Sequence, residues 1–216
     1  MDIYYLGHSS FQIVGKNATV VTDPFDEKMV GLKYPKINAD IVTVSHQHGD
    51  HNNVDLIENP DRVISGPGEY EIKKVSIFGI PSYHDDKKGA ERGKNTIYVI
   101  ETDNVRIVHL GDLGHKLSEA DVDSMGEVDV LMVPIGGDYT IGPKDAADTV
   151  RSIEPKVVLP MHYQTSGLNQ ETFSALEGLE PFVSELGFKK EEQKKLSISE
   201  SSLNTEEQVI VLLEKK

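Results

Sequence analysis

His46-Gln47-His48-Gly49-Asp50-His51 packs three imidazoles and one carboxylate into six residues. The segment follows the apolar run Ile41–Ser45, which reads as a buried strand ending directly in His46. At this spacing a continued strand or a helix would scatter the four side chains over different faces, whereas a sharp loop at a strand end can aim them at one point. Neutral imidazole and carboxylate are ligands for zinc, and also for manganese, iron or nickel. The chain has eight His and no Cys, so a metal centre must use nitrogen and oxygen donors. Disulfides, thiolate zinc fingers, Cys-ligated iron–sulfur clusters and Cys nucleophiles are excluded.

The elements that must position this loop form two series. In the first, Asp2–Leu6, Phe11–Val14 and Ala18–Thr22 are short apolar or alternating runs, split by Gly7 and by Gly15-Lys16-Asn17. Arg62–Ser65, Lys74–Phe78 and Thr96–Glu101 continue the strands, and Asp103-Asn104 is a two-residue turn into Val105–Leu110. The second series alternates strand and helix. Val128–Val133 is a strand, and Pro143 stands where a helix over Asp145–Ile153 would begin. Lys156–Leu159 is a strand running into Pro160-Met161-His162, and Gln170–Leu179 has helical spacing. Ser184–Lys195 is charged, a surface helix or a loop, and Lys195–Ile198 and Gln208–Leu213 are strands across the polar Ser199–Glu207 loop. Two packed sheets with helices outside make an α/β fold, a four-layer αββα sandwich. No segment is long enough to serve as a linker, so residues 1–216 are expected to form one domain.

Charge narrows the partners. Against 22 Lys+Arg stand 36 Asp+Glu, a net charge of −14. That balance repels nucleic-acid backbones and anionic lipid and favours a small-molecule substrate. Met1–Leu6 has neither the basic nor the apolar region of a signal peptide, and no apolar run reaches the ~20 residues of a membrane span. The expected compartment is the cytoplasm, away from membranes. Nothing in the sequence marks an interface between copies, so a homo-oligomer stays open.

With His46, His48, Asp50 and His51 matching a His-x-His-x-Asp-His signature, the chain resembles the metallo-β-lactamase superfamily. Gly7-His8-Ser9-Ser10-Phe11, Leu110-Gly111-Asp112, Ile135-Gly136-Gly137 and Pro160-Met161-His162-Tyr163 extend the likeness to about residue 165. They resemble one branch, the small metal-dependent hydrolases related to the ascorbate-6-phosphate lactonase type. The resemblance implies an αββα sandwich with two divalent metal ions at one edge of the sheets. His46, His48 and a third His would hold one. Asp50, His51 and a late His would hold the other, with an Asp between them. Mapped onto this chain, the third His is His84, with His109 as its competitor or, more in keeping with the mapping, an imidazole behind the ligands that orients one of them, the shared Asp is Asp112, and the late His is His162. The position of His8 tends to face the site in such proteins.

The chemistry that follows is hydrolysis of a small ester, lactone or phosphoester by metal-activated water, with zinc the leading metal. Asp50 would orient the nucleophile, and His109 or His8 would assist proton transfer within hydrogen-bond reach. Gly136-Gly137 would let backbone approach a ligand and Tyr139 would offer a phenol, or the segment is a simple turn. Asp23, before Pro24 at a strand end, reads first as a turn former and second as a support for the metal loop, and His115 as a surface residue near a helix start. Competing functions are a phosphodiesterase or nuclease of the same fold, disfavoured by the acidity, and a non-catalytic metal-binding protein. A di-iron redox protein would carry a carboxylate where His48 stands and a flavin domain.

Overall fold

The computed structural model describes residues 1–203 and 207–216. Among these residues, β1 (Asp2–Gly7), β2 (Ser10–Val14), β3 (Thr19–Thr22), β4 (Ile41–Val44) and β5 (Arg62–Ser65) build a first sheet. The second contains β6 (Gly68–Ile72), β7 (Val75–Tyr83), β8 (Lys94–Thr102), β9 (Val105–His109), β10 (Val130–Pro134), β11 (Val157–Met161), β12 (Lys189–Gln193) and β14 (Val209–Leu213). The two-residue β13 (Leu196–Ser197) returns from the end of the chain to the first sheet, giving the order β13-β1-β2-β3-β4-β5. The second sheet runs β12-β14-β11-β10-β9-β8-β7-β6.

Three apolar layers hold this together. Ile3, Phe11, Ile13 and Ile41 of the first sheet face Ile77, Tyr98, Ile107 and Met132 of the second. On the outside of the second sheet, Val108, Leu131 and Val158 are covered by Ala146 and Val150 of α3 (Pro143–Ile153, which follows α1, Glu27–Val30, and α2, Glu119–Met125) and by Phe182 and Leu186 of α5 (Leu179–Leu186). Outside the first sheet, Val21, Val42 and Val44 meet Val30 of α1 (Glu27–Val30) and Phe173 of α4 (Gln170–Phe173). The chain therefore adopts the expected αββα sandwich. Strands β4, β10 and β11 are buried along their whole length because both faces are covered, which is why they read as unbroken apolar runs.

Several elements differ from the sequence reading. Gln170–Leu179 is not one helix. After Phe173 the chain turns so that Glu177 N–H donates to Gly136 O at 2.8 Å and Gln164 N–H to Glu177 O at 2.9 Å, and Gly178 then starts α5. The charged Ser184–Lys195 segment is split between the end of α5 and the edge strand β12. Strand β7 runs on to Tyr83, delivering His84 at its end. The edge strand β6 and the short α2 (Glu119–Met125), capped by Ser118, had no strong apolar period. Within the expected Ser199–Glu207 loop, Glu200–Leu203 forms a 3-10 turn, and residues 204–206 lie outside the described residues. No helix among the described residues is long and apolar enough to cross a membrane.

Strands β3 and β4 are parallel, and so are β9, β10 and β11. Strand β7 shares the direction of β9, because both lie antiparallel to β8 between them. Asp23, His46, His84, Asp112 and His162 all lie just beyond the carboxyl ends of these strands. In α/β sheets this is the end at which ligands bind.

Candidate metal centre

The loop after β4 meets four other segments here. His8 comes from the β1–β2 turn, His84 from the end of β7, Asp112 from the segment after β9, and His162 from the end of β11. Asp112 Oδ2 lies at the centre: 3.1 Å from His51 Nε2, 3.2 Å from His84 Nε2, 3.3 Å from His162 Nε2 and 3.8 Å from His46 Nε2. Asp50 Oδ2 lies 3.1 Å from His8 Nε2, 3.5 Å from His51 Nε2 and 4.0 Å from His162 Nε2. His46 Nε2 is 3.0 Å from His48 Nδ1. Three overlapping groups have donor atoms close enough to share an ion: His46, His48 and His84; His8, Asp50, His51 and His162; and His46, His51 and Asp112.

A buried frame fixes these side chains. The Asp23 carboxylate accepts from Ser45 N–H at 2.8 Å and from Ser45 Oγ–H at 2.5 Å, and its Oδ2 is 2.8 Å from His51 Nδ1. The Ser45 hydroxyl also lies 3.0 Å from His46 Nδ1. With its proton given to Asp23, Ser45 Oγ accepts from His46 Nδ1–H, which leaves His46 Nε2 as a lone pair facing Asp112. Asp23 thus orients one imidazole directly and another through a hydroxyl, the outer support that metal-binding histidines usually have. The turn role read for Asp23 is the smaller part of its work. Its φ is +41°, and His8 and His162 share the left-handed region at +54° and +50°. Such backbone costs of order 1–3 kcal/mol per residue and persists where the surroundings over-determine it. His162 N–H donating to His8 O at 3.0 Å is one such restraint.

Asn95 positions Asp112. Its Oδ1 accepts from Asp112 N–H at 3.0 Å while its Nδ2 donates to Leu110 O at 2.9 Å. Gly111 makes the approach possible: at φ +57° a Cβ would stand 2.3 Å from Asn95 Oδ1 and 2.6 Å from Ser45 Cβ.

His109 does not join the cluster. Its Nε2 donates to Ser9 O at 2.8 Å and its Nδ1 accepts from Gly111 N–H at 3.1 Å. Both ring nitrogens are bonded to backbone, which differs from the proton-transfer geometry expected for it and leaves it behind the cluster as a support for the Ser9 and Gly111 turns. His84, not its competitor, reaches Asp112. His8 does face the site, through Asp50. His115 is more than a surface residue: Nε2 accepts from Tyr83 N–H at 3.2 Å, next to His84. The Tyr139 phenol is committed to Thr172 O at 2.7 Å, so its ring face, not its hydroxyl, is what it offers.

The electrostatics suit cations. Burial, reinforced by His51, pushes the His46 imidazole down to about 3, and burial, reinforced by His162, pushes His8 down to about 4. Burial also lowers His48. All three are neutral donors near pH 7. Burial alone would raise Asp23, Asp50 and Asp112, yet neighbouring imidazoles hold each below the usual carboxylate range. His51 goes the other way: burial would lower it, but Asp112 and Asp50 outweigh that and raise it well above its ordinary value. Among the described imidazoles with displaced basicity only His51 is raised, so three buried carboxylates face too little positive charge.

The donor geometry agrees. His51 Nε2, His162 Nε2 and Asp112 Oδ1 are buried with no hydrogen-bond partner among the described residues. His51 Nε2 lies 3.1 Å from Asp112 Oδ2 without being aligned to bond it. Ligands about 2.0–2.1 Å from a tetrahedral ion stand roughly 3.3 Å from each other, so converging donors at such spacing are what a metal site needs. The residues present fit divalent metal.

Next to the cluster lies a cavity of about 270 Å³, with His48, Asp50, His84 and Asp112 on its polar side and Met29 and Phe173 on its apolar side. It has the size of a small-molecule site.

Comparison with known proteins agrees with this geometry. The family model for the beta-lactamase superfamily domain matches residues 2–162. A UPF0173 metal-dependent hydrolase of Thermococcus onnurineus is 33% identical over 193 residues, covering 76% of this chain and 85% of that one. A crystal structure from Thermotoga maritima, ascribed to the Zn-dependent hydrolases of the metallo-β-lactamase superfamily, aligns with a TM-score of 0.78 at 36% identity over 98% of both chains. Igni18, a metallo hydrolase of Ignicoccus hospitalis, shares the fold at a TM-score of 0.69 and 20% identity, over 98% of this chain and 94% of that one. The chain belongs to the metallo-β-lactamase superfamily, in its branch of UPF0173 metal-dependent hydrolases.

Proposed function

We propose that residues 1–216 act as one hydrolase unit holding two divalent cations, one on His46, His48 and His84, the other on Asp50, His51 and His162, with Asp112 between them. The observation that carries this reading is the convergence of four imidazoles on Asp112 Oδ2, all within 3.8 Å. Zinc is the leading metal, supported by the nitrogen-rich donor set and the Zn-dependent relative of Thermotoga maritima. Manganese, iron and nickel are the alternatives the same donors accept. The substrate is a small ester, lactone or phosphoester, in keeping with a cavity of about 270 Å³ and with the lactonase-like motifs.

When bound, such a pair of cations supplies Lewis acidity and makes water a nucleophile near neutral pH. The chain does the rest. Asp50 orients the attacking water, and His8 Nε2–H holds that carboxylate in place. Asp23 and Ser45 keep His51 and His46 turned inward. Phe173 and Met29 exclude bulk water from one side of the cavity. No side-chain nucleophile is required, in line with a chain without Cys.

Protein purified without chelator should carry about two metals per chain, as two-metal hydrolases do. It should hydrolyse at least one compound in a panel of esters, lactones and phosphodiesters assayed with zinc and with manganese. His48→Ala and Asp112→Ala should lower metal content and rate together. Full metal content and full rate in both variants would overturn the ligand assignment.

A further inference from the structure

The loop between β7 and β8 carries Arg92, which neither the ligand set nor its support uses. Its guanidinium lies over the Tyr139 ring, 4.9 Å from the centroid. Arg106 and Arg151 are paired with Glu101 and Asp148, and Arg62 is exposed at the far end of β5 from Ser65. Arg92 is half-buried and has no ion-pair partner among the described residues, in a chain of net charge −14.

Two features make this placement a built one. Asp85 accepts the backbone N–H groups of Lys87, Gly89, Glu91 and Arg92 at 2.7–3.0 Å, and so folds the loop around its carboxylate. His84 N–H donates to Gly93 O at 3.1 Å, closing the stem of the loop on a proposed metal ligand. Arg92 is also common to two cavities. One is the cavity beside Asp50 and Asp112; the other, of about 410 Å³, is reached past His48 and also borders Lys94. Arg92 and His48 thus line both cavities. A half-buried cation over a tyrosine is attracted by the ring face but gives up hydration that an anion's hydrogen bonds would restore. Guanidinium presents paired N–H donors matched to carboxylate and phosphate.

We propose that Arg92 recognises an anionic group, carboxylate or phosphate, carried by the substrate away from the bond that is hydrolysed. This rests on the hydrolase reading above and narrows it to anionic small esters, lactones or phosphoesters. The reacting bond lies by Asp50 and Asp112, and the anion lies against Arg92, whose guanidinium is held over the Tyr139 ring.

The test compares 4-acetoxybenzoate and (4-acetoxyphenyl)phosphonate with the neutral 4-acetoxybenzamide, in all of which the aryl acetate is the one scissile ester. In R92Q the ratio of kcat/KM for charged over neutral ester should fall by about tenfold or more, the effect of losing a charged hydrogen bond. R92K should restore part of it, and metal content per chain should match that of the unsubstituted protein. Binding is read separately by calorimetry, with benzoate, phenylphosphonate and neutral benzamide as probes. R92Q should weaken the two anions relative to benzamide, and the larger loss identifies the preferred anion. An unchanged charged-to-neutral ratio in both measurements overturns the proposal, as does equal loss for charged and neutral compounds, the mark of a merely structural latch. Arg92-dependent anion binding without hydrolysis of any ester, lactone or phosphodiester in the panel above would keep the recognition role and overturn the hydrolase reading instead.

Discussion

Asp23 Oδ2 is 2.8 Å from His51 Nδ1, and both side chains are fully buried. One residue at the end of β3 thereby sets the tautomer and angle of an imidazole 28 positions later. Asp23→Asn keeps the shape but loses the charge that holds His51 Nδ1 protonated. Metal affinity, measured by competition with a coloured chelator, should drop by roughly 10–100-fold, the usual cost of removing a carboxylate behind a metal-bound His. Affinity equal to that of the unsubstituted protein would show that the pair does not support the centre.

His109 provides the opposite case. His109→Phe strands the Ser9 carbonyl and the Gly111 amide, both bonded to the ring. Each buried group left unpaired costs about 1–3 kcal/mol, so denaturant unfolding should show a clear loss of stability. The shape of the pH–rate profile should not change. A missing limb in that profile would restore the proton-transfer role.

Tyr98 rises from the second sheet and ends under the His46 loop. Its hydroxyl donates to Val44 O at 2.9 Å and accepts from Gly66 N–H at 2.9 Å. Tyr98→Phe should cost about 1–3 kcal/mol. In a domain of this length each kcal/mol moves Tm by roughly 2–4 °C. Calorimetry reads the shift directly, and an unchanged Tm would mean that the inter-sheet bond adds nothing.

Backbone N–H donation, from Arg92 first, holds the Asp85 carboxyl down to about 2, against an ordinary value of 3.8. A depressed acid stabilises the fold above its unfolded value and loses that contribution as pH falls through the folded one. The Asp85 loop should therefore be protected above about pH 4 and released towards pH 2. Hydrogen exchange at Lys87, Gly89, Glu91 and Arg92 should show the difference between unsubstituted protein and Asp85→Asn narrowing across that window. A difference independent of pH would sink the assignment.

The parts legible in the sequence were those whose cause is local. Ile41–Ser45 and Val128–Val133 announced strands by apolar runs, Pro143 announced a helix start, and His46–His51 announced donors by their density. Asp103-Asn104 read as a turn, and both residues adopt positive φ there. What stayed hidden depends on partners far along the chain. The break after Phe173 exists because Glu177 bonds Gly136. Asp23 at a strand end before proline suits a turn or a support for the loop, and only Ser45 and His51 beside it decide for the support. His84 and His109 were inseparable by spacing, and only the bonds to Ser9 and Gly111 withdraw His109. Arg92 carried no signal at all, since a lone arginine in a polar loop is ordinary.

Strand β13 has one more consequence, for synthesis rather than for chemistry. It pairs Ser197 with Asp2 and Leu196 with Ile3, and nearby Met1 donates its amino group to Ile198 O. At roughly 5–20 residues per second, about 10–40 s separate translation of β1 from translation of its outer neighbour. During that interval β1 has an uncovered edge, the kind that pairs with strands of other chains. The nascent protein is therefore most exposed to aggregation before its last strands emerge, and a chaperone that shields β1 during translation should raise its soluble yield.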